Sequence, residues 1–141
     1  MYIFYRKTAR VHIGDSRCLF CIINDCYNAS PDSVRAALNV LSDTKYKSKI
    51  AVLGDMLEMG DFAPEAHLQI GEYAACKADL VICTGELGKF IKKGAGDKGI
   101  WYEDKLSAVQ KIKQISQDNC ILIKASRGMH FEEITKALLE D

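Results

Sequence analysis

Short apolar runs separated by helical segments constrain this chain more than any other feature. Ile50-Ala-Val-Leu53, Leu80-Val-Ile-Cys83 and Cys120-Ile-Leu-Ile123 are nearly unbroken hydrophobic stretches. A strand with one wet face alternates apolar and polar residues, so a continuous run needs cover on both faces, as inside a parallel sheet. Strands are expected at Cys18–Asn24, Lys49–Leu53, Leu80–Thr84, Gly99–Tyr102 and Cys120–Lys124. Helical patterns fill the gaps between them. Ser30-Pro31 supplies an N-cap residue followed by a proline at the first helical position, and Val34, Ala37, Leu38 and Leu41 then repeat on one apolar face. Further helices are expected at Pro64–Lys77, Leu87–Lys93, Lys105–Ser116 (Leu106, Val109 and Ile112 inward) and His130–Leu139 (Phe131, Ile134 and Leu138 inward). Alternation of this kind gives an α/β fold: a Rossmann-like, doubly wound, mostly parallel sheet of about five to six strands in a single domain. Residues 1–17 fall outside the pattern, as an edge strand at Arg10–Ile13 or a remnant of whatever precedes residue 18; residues 18–141 make the domain.

A chain of 141 residues suits one core, and 48% hydrophobic with 27% charged residues is an ordinary globular balance. Lysine plus arginine equals aspartate plus glutamate at 19 each, so no global field favours nucleic acid or an anionic membrane. No apolar run has the length of a membrane span, and the first residues turn polar too early for a signal-peptide core. A cytoplasmic protein is expected. The six cysteines are expected to be reduced and to hold no metal. Cys18 and Cys21 form a C-x-x-C, but residues three apart on a strand point to opposite faces.

Two glycine-rich segments imitate phosphate sites. Gly94-Ala-Gly-Asp-Lys-Gly99 spells G-x-G-x-x-G, yet it follows a helix and precedes a strand, the reverse of a dinucleotide fingerprint, and reads as a surface loop. Gly85-Glu-Leu-Gly-Lys89 follows a strand but lacks the length and the Ser/Thr of a P-loop, and reads as a plain turn. The informative polar residues lie instead just past three strands, where an open parallel sheet binds ligands: Asn24–Pro31, Gly54–Pro64 and Lys124–Met129. Each has a bland alternative. Asn28 and Ser30 could cap the next helix, Asp55 and Glu58 could be a solvated charge and a turn former, and Lys124 and Arg127 could make surface ion pairs. Convergence of cations, carboxylates and a helix start on one edge favours a binding crevice. His67 reads as a helix-face residue and His130 as a helix start, neither with a visible partner.

The blocks Ile22-Ile-Asn-Asp-Cys-Tyr-Asn-Ala-Ser-Pro-Asp-Ser-Val-Arg-Ala-Ala-Leu38, Ala51-Val-Leu-Gly-Asp-Met-Leu-Glu-Met-Gly60 followed by His67, and Ile123-Lys-Ala-Ser-Arg-Gly-Met129 occur in this order. Together they resemble the C-terminal domain of UDP-N-acetylmuramoyl-tripeptide–D-alanyl-D-alanine ligases, of the Mur ligase family. The resemblance implies a cytoplasmic three-domain enzyme of peptidoglycan synthesis, monomeric, using ATP and Mg²⁺. A muramyl tripeptide is activated as an acyl phosphate and attacked by the amine of D-Ala-D-Ala. The N-terminal domain would hold UDP-MurNAc-tripeptide and the central one the triphosphate and the metal. This chain would close over the nucleotide and bring in the dipeptide, carrying no catalytic residue and no activity alone. By the same resemblance Asp25 would accept hydrogen bonds from the ribose hydroxyls, with Tyr27 and Asn28 beside it at the nucleotide boundary. Ser30, Lys124, Ser126 and Arg127 would line the phosphate and dipeptide side. The family usually carries Gly where this chain has Ala125, and Asn where it has Ser30. Two other readings are a free-standing, non-catalytic nucleotide- or peptide-binding module of this fold and a flavodoxin-like protein, the latter resting on strand–helix alternation alone.

Overall fold

The computed structural model describes residues 5–13, 16–26, 28–115 and 119–139, with side chains from residue 21 onward. Strands β1 (Tyr5–Ile13) and β2 (Ser16–Asp25) lead into α1 (Pro31–Ser42), β3 (Ser48–Leu53), α2 (Ala63–Lys77) and β4 (Leu80–Thr84). Then follow α3 (Gly88–Ala95), β5 (Gly99–Tyr102), α4 (Lys105–Gln114), β6 (Asn119–Lys124) and α5 (Glu132–Leu139). One six-stranded sheet has the order β1-β2-β6-β3-β4-β5. β1 runs antiparallel to β2 at one edge, and every other neighbouring pair is parallel. The doubly wound α/β architecture is therefore present.

Alternation along the strands divides the core into two layers. Cys21, Ile23, Ala51, Leu53, Val81, Cys83, Cys120 and Leu122 face α1, α2 and α3, whose Val34, Leu38, Leu41, Ile70, Ala74 and Ile91 cover them. Ile22, Ile50, Val52, Ile82, Ile121 and Ile123 face α4 and α5, which supply Val109, Ile112, Phe131, Ile134 and Leu138. Each fully buried Val, Leu, Ile or Phe among them contributes roughly 1.5–3 kcal/mol by leaving water, and the alanines less.

Two expectations need correction. Leu106 is exposed at 64% rather than inward. The buried arc of α4 is centred on Ala108, Val109 and Ile112, and at 100° per residue Leu106 lies about a third of a turn away from it. Lys105 takes the inward place in that first turn. The stretch from Lys92 to Gly99 is not one surface loop, because α3 continues through Ala95 and a short 3-10 turn at Gly96–Lys98 leads straight into β5.

Gly94 is helical for a packing reason. A Cβ there would stand 2.0 Å from the carbonyl oxygen of Leu68, and a Cβ on Gly71 would stand 2.0 Å from that of Ile91. The backbones of α2 and α3 thus touch through two glycines. Gly71→Ala is expected to force the helices apart and cost about 1–3 kcal/mol, lowering the melting temperature by roughly 3–10 °C. Thermal denaturation checks this, and an unchanged midpoint would mean that the two backbones are not in contact.

Two of the thiols, Cys26 and Cys83, are held in the protonated form. Cys21, Cys26, Cys76, Cys83 and Cys120 form no disulfide, while the side chain of Cys18 lies outside the described residues. Burial pushes the Cys83 thiol up to about 12. Burial, with the charges of Glu132 and Asp25, does the same to Cys26. A thiol so held stays protonated at neutral pH and is a poor nucleophile.

Candidate functional site

The parallel strands bring their carboxyl ends to one edge, and topology decides where that edge opens. β6 lies between β2 and β3. From β6 the chain passes to α5 on one face, whereas from β2 and β3 it passes to α1 and α2 on the other. Loops that part toward opposite faces leave a crevice between them. The loops after β2, β3 and β6 border it, the same three segments the sequence singled out.

Parallel register sets Asp25 beside Lys124 at the rim. Lys124 is 1% exposed, and its Nζ lies 2.6 Å from Asp25 Oδ2 and donates to the carbonyl oxygen of Asn28 at 2.9 Å. The surface ion pair considered for Lys124 is thus replaced by a buried one. An ammonium removed from water needs a close carboxylate and further acceptors, and this one has both. Its charge orients Asp25 and draws the loop after β2 down onto the sheet.

The remainder of that loop serves the helix behind it. Asn28 is exposed, and its Oδ1 accepts the Ala29 N–H at 2.8 Å. Ser30 is the N-cap of α1: its Oγ accepts the Ser33 N–H, and Ser33 Oγ accepts the Ser30 N–H, a reciprocal capping box. Ser30 thus caps α1, as the bland reading had it, whereas Asn28 engages the backbone ahead of the cap and not the helix itself. Tyr27 lies outside the described residues.

The loop after β3 is pinned residue by residue. Gly54 N–H donates to the Lys124 carbonyl at 3.1 Å, and the Asp55 carbonyl accepts the Ser126 N–H at 3.0 Å. Met56 N–H donates to His67 Nε2 at 2.8 Å, and Leu57 N–H donates to Ser126 Oγ at 2.8 Å. Asp55 turns away from the crevice, correcting the solvated charge considered for it. Its Oδ1 accepts the N–H groups of Leu87 and Gly88, both at 3.0 Å, and so caps α3. Burial raises its carboxyl above the usual range, opposed by those N–H bonds and by His67. Glu58 is exposed with φ 65°, a turn former in the left-handed region.

After β6, Ala125 is buried against Gly54, where a Cβ would meet the Phe131 ring at 2.4 Å and the Ala125 Cβ at 3.0 Å. Ser126 is buried, while Arg127 is exposed at the start of the 3-10 turn Arg127–Met129. His130 follows in the left-handed region. Lys105 of α4 clamps this turn, donating to the Met129 carbonyl at 3.1 Å and pairing with Glu133 Oε2 at 2.7 Å. That bond and the ammonium charge hold the Glu133 carboxyl below its ordinary range.

The structure thus gathers Asp25, Asn28, Lys124, Ser126 and Arg127 on one rim, and sends Asp55 and Ser30 to helix termini. A carboxylate held by a buried ammonium can accept hydroxyl hydrogen bonds, and an exposed guanidinium can take a carboxylate or phosphate through two bonds. Among the described residues no group of three His, Cys, Asp or Glu could hold a metal ion. The sequence reading overlooked the roles of His67 and Lys105. The spacing of His67 four residues after Ala63 fits its bond to that carbonyl, but its bond to Met56 spans the loop and leaves no local sign.

Residues 10–127 match the family described as Mur ligase, glutamate ligase domain. The UDP-N-acetylmuramoyl-tripeptide–D-alanyl-D-alanine ligase of Bacillus subtilis is 43% identical over 127 residues, covering 84% of this chain and 28% of that protein. The Escherichia coli protein of the same name is 32% identical over 124 residues, covering 85% of this chain and 27% of its own length. Among solved structures, MurF from Acinetobacter baumannii superposes with a TM-score of 0.79 at 29% identity, over 86% of this chain and 28% of that one. MurF from Thermotoga maritima in complex with ADP gives 0.74 at 26% identity, over 85% of this chain and 28% of that one. The chain therefore spans about 28% of the length of the relatives it matches.

Proposed function

The chain belongs to the Mur ligase family, as a C-terminal domain of the D-alanyl-D-alanine ligase type, and from that premise we propose that it completes an ATP-dependent ligase adding D-Ala-D-Ala to UDP-MurNAc-tripeptide. The observation that carries this reading is the rim built from Asp25, Lys124 and Arg127 where the loops after β2, β3 and β6 part. In this reading Asp25, oriented through Oδ2 by Lys124, accepts ribose hydroxyls through Oδ1. Tyr27 and Asn28 border the nucleotide. Arg127 and Ser126 face the dipeptide, with Ser30 behind them at the start of α1. Lys124 acts mainly by holding Asp25 and the Asn28 carbonyl in place, since its ammonium is buried between them.

The residues fit the ribose end of a nucleotide and not its triphosphate, because this sequence contains no G-x-x-x-x-G-K-[ST] segment. ATP, when bound, would supply the phosphoryl group that activates the tripeptide carboxylate. The triphosphate and Mg²⁺ are assigned to the central domain, and UDP-MurNAc-tripeptide to the N-terminal one. This chain then contributes orientation: a carboxylate for the sugar, a guanidinium for the dipeptide carboxylate, and a crevice wall that excludes water. No helix among the described residues is long and apolar enough to cross a membrane. We place the ligase in the cytoplasm as a monomer, where its nucleotide-linked substrates are made.

Two measurements test this together. The 141-residue chain alone should melt in one cooperative transition and release no phosphate from ATP above buffer. Joined to the N-terminal and central domains of a D-alanyl-D-alanine ligase, it should restore ADP release that depends on both UDP-MurNAc-tripeptide and D-Ala-D-Ala. Sustained turnover by the chain alone, or a joined enzyme indifferent to D-Ala-D-Ala, would overturn the reading.

A further inference from the structure

We propose that His67 is a positioning residue for the ligation, its neutral ring holding the loop after β3 against the Ser126–Arg127 turn from outside the crevice. The inference rests on the functional reading above for its reaction, and on geometry for its mechanism. His67 is 0% exposed on α2. Met56 N–H donates to Nε2 at 2.8 Å, so the ring proton sits on Nδ1, which lies 2.6 Å from the Ala63 carbonyl and donates to it. One residue further along the same loop, Leu57 N–H donates to Ser126 Oγ, and the Asp55 carbonyl accepts the Ser126 N–H. The path from the imidazole to the crevice therefore has two links: ring to Met56, and the adjoining peptides to Ser126. Arg127 follows immediately.

Any buried histidine must engage both nitrogens; what marks this one is that its acceptor nitrogen reaches the loop bordering the crevice and not its own helix. Here the acceptor nitrogen takes a loop N–H that would otherwise be buried without a partner. The arrangement exists for the neutral ring alone, because protonation at Nε2 would set two donors face to face. Burial lowers the ring's pKa below 6.5, opposed by its bond to the Ala63 carbonyl and by Asp55, the titratable group that acts on it from the loop. A depressed folded-state value means that the contribution is complete above about 6.5 and is lost as pH falls through the folded-state value.

The test uses the joined three-domain enzyme and, separately, the 141-residue chain. His67→Leu keeps an apolar side chain of similar size and removes both nitrogens. Assayed well below its melting temperature, it should raise KM for D-Ala-D-Ala and lower kcat/KM for that substrate by about tenfold, leaving KM for UDP-MurNAc-tripeptide within about twofold. His67→Gln can present an amide oxygen to Met56 N–H without titrating. It should recover kcat/KM to within about threefold of wild type and flatten its decline below pH 6.5. A loss of kcat shared by all substrates with KM unchanged, or a leucine variant with wild-type kcat/KM, would make His67 structural only and overturn the proposal. If the wild-type enzyme does not ligate D-Ala-D-Ala, the functional reading has failed while the positioning claim is still decided in the chain. There, His67→Leu should speed amide exchange at Leu57 and Ser126 by at least about tenfold relative to residues of β4, and equal protection would refute it.

Discussion

Lys124→Met is expected to destabilise the chain by about 3–5 kcal/mol, because it strands the Asp25 carboxylate in a site with 1% exposure on the lysine side and 10% on the aspartate side. The melting temperature should fall by roughly 10–15 °C. The size of the effect separates this pair from surface ion pairs such as Lys89–Glu86, whose removal moves stability by about 0–1 kcal/mol. Most of the loss is a penalty for the orphaned charge rather than the worth of the pair. Adding Asp25→Asn to Lys124→Met should therefore recover at least half of the stability. Calorimetry on both variants decides the matter, and a single variant that melts within a degree or two of wild type would mean the pair is solvated. Catalysis should not recover with stability, since the double variant lacks the carboxylate assigned to the ribose.

Arg127→Lys should show the opposite profile, large in activity and small in stability. Arg127 is exposed on the turn after β6, on a rim where the dipeptide carboxylate is proposed to lie. A guanidinium meets a carboxylate through two parallel N–H bonds, and an ammonium cannot reproduce that fork. Loss of one charge-assisted bond is worth roughly 1.5–3 kcal/mol, or about ten- to a hundredfold in kcat/KM for D-Ala-D-Ala in the joined enzyme. The melting temperature should move by no more than a degree or two. Unchanged kcat/KM in the lysine variant would remove Arg127 from the site, and a marked thermal loss would make it structural.

The fold was legible because its signals are local. Unbroken apolar runs at Ile50–Leu53 and Cys120–Ile123 demand two covered faces, and Ser30-Pro31 marks a helix start by the chemistry of its own side chains. The edge on which the loops after β2, β3 and β6 meet was legible for the same reason, since strand ends in a parallel sheet share an edge whatever the tertiary detail. Polar partners were not. Lys124 and Asp25 are 99 residues apart in sequence, and nothing in either neighbourhood distinguishes a buried pair from two separate ligand contacts. Asp55 follows a buried strand, as a crevice acid would, but its partners are N–H groups on the loop after β4. Leu106 shows the limit of i, i+3 counting: the spacing to Val109 was right, and the centre of the buried arc was set by Ala108 and Ile112.

The network joining Gly54–Leu57 to Lys124–Ser126 has a mechanical consequence. Every backbone N–H from Gly54 through Leu57 whose bond is described above ends on a different element, and the glycine contacts lock α2 to α3 beside them. Such a rim cannot swing as a flap. In the proposed three-domain ligase, enclosure would then come from movement of this domain as a unit, with the exposed Leu57 and Phe62 carried on the loop after β3. On that proposal, a substitution in this rim would change what the domain presents to the substrates rather than how fast it moves.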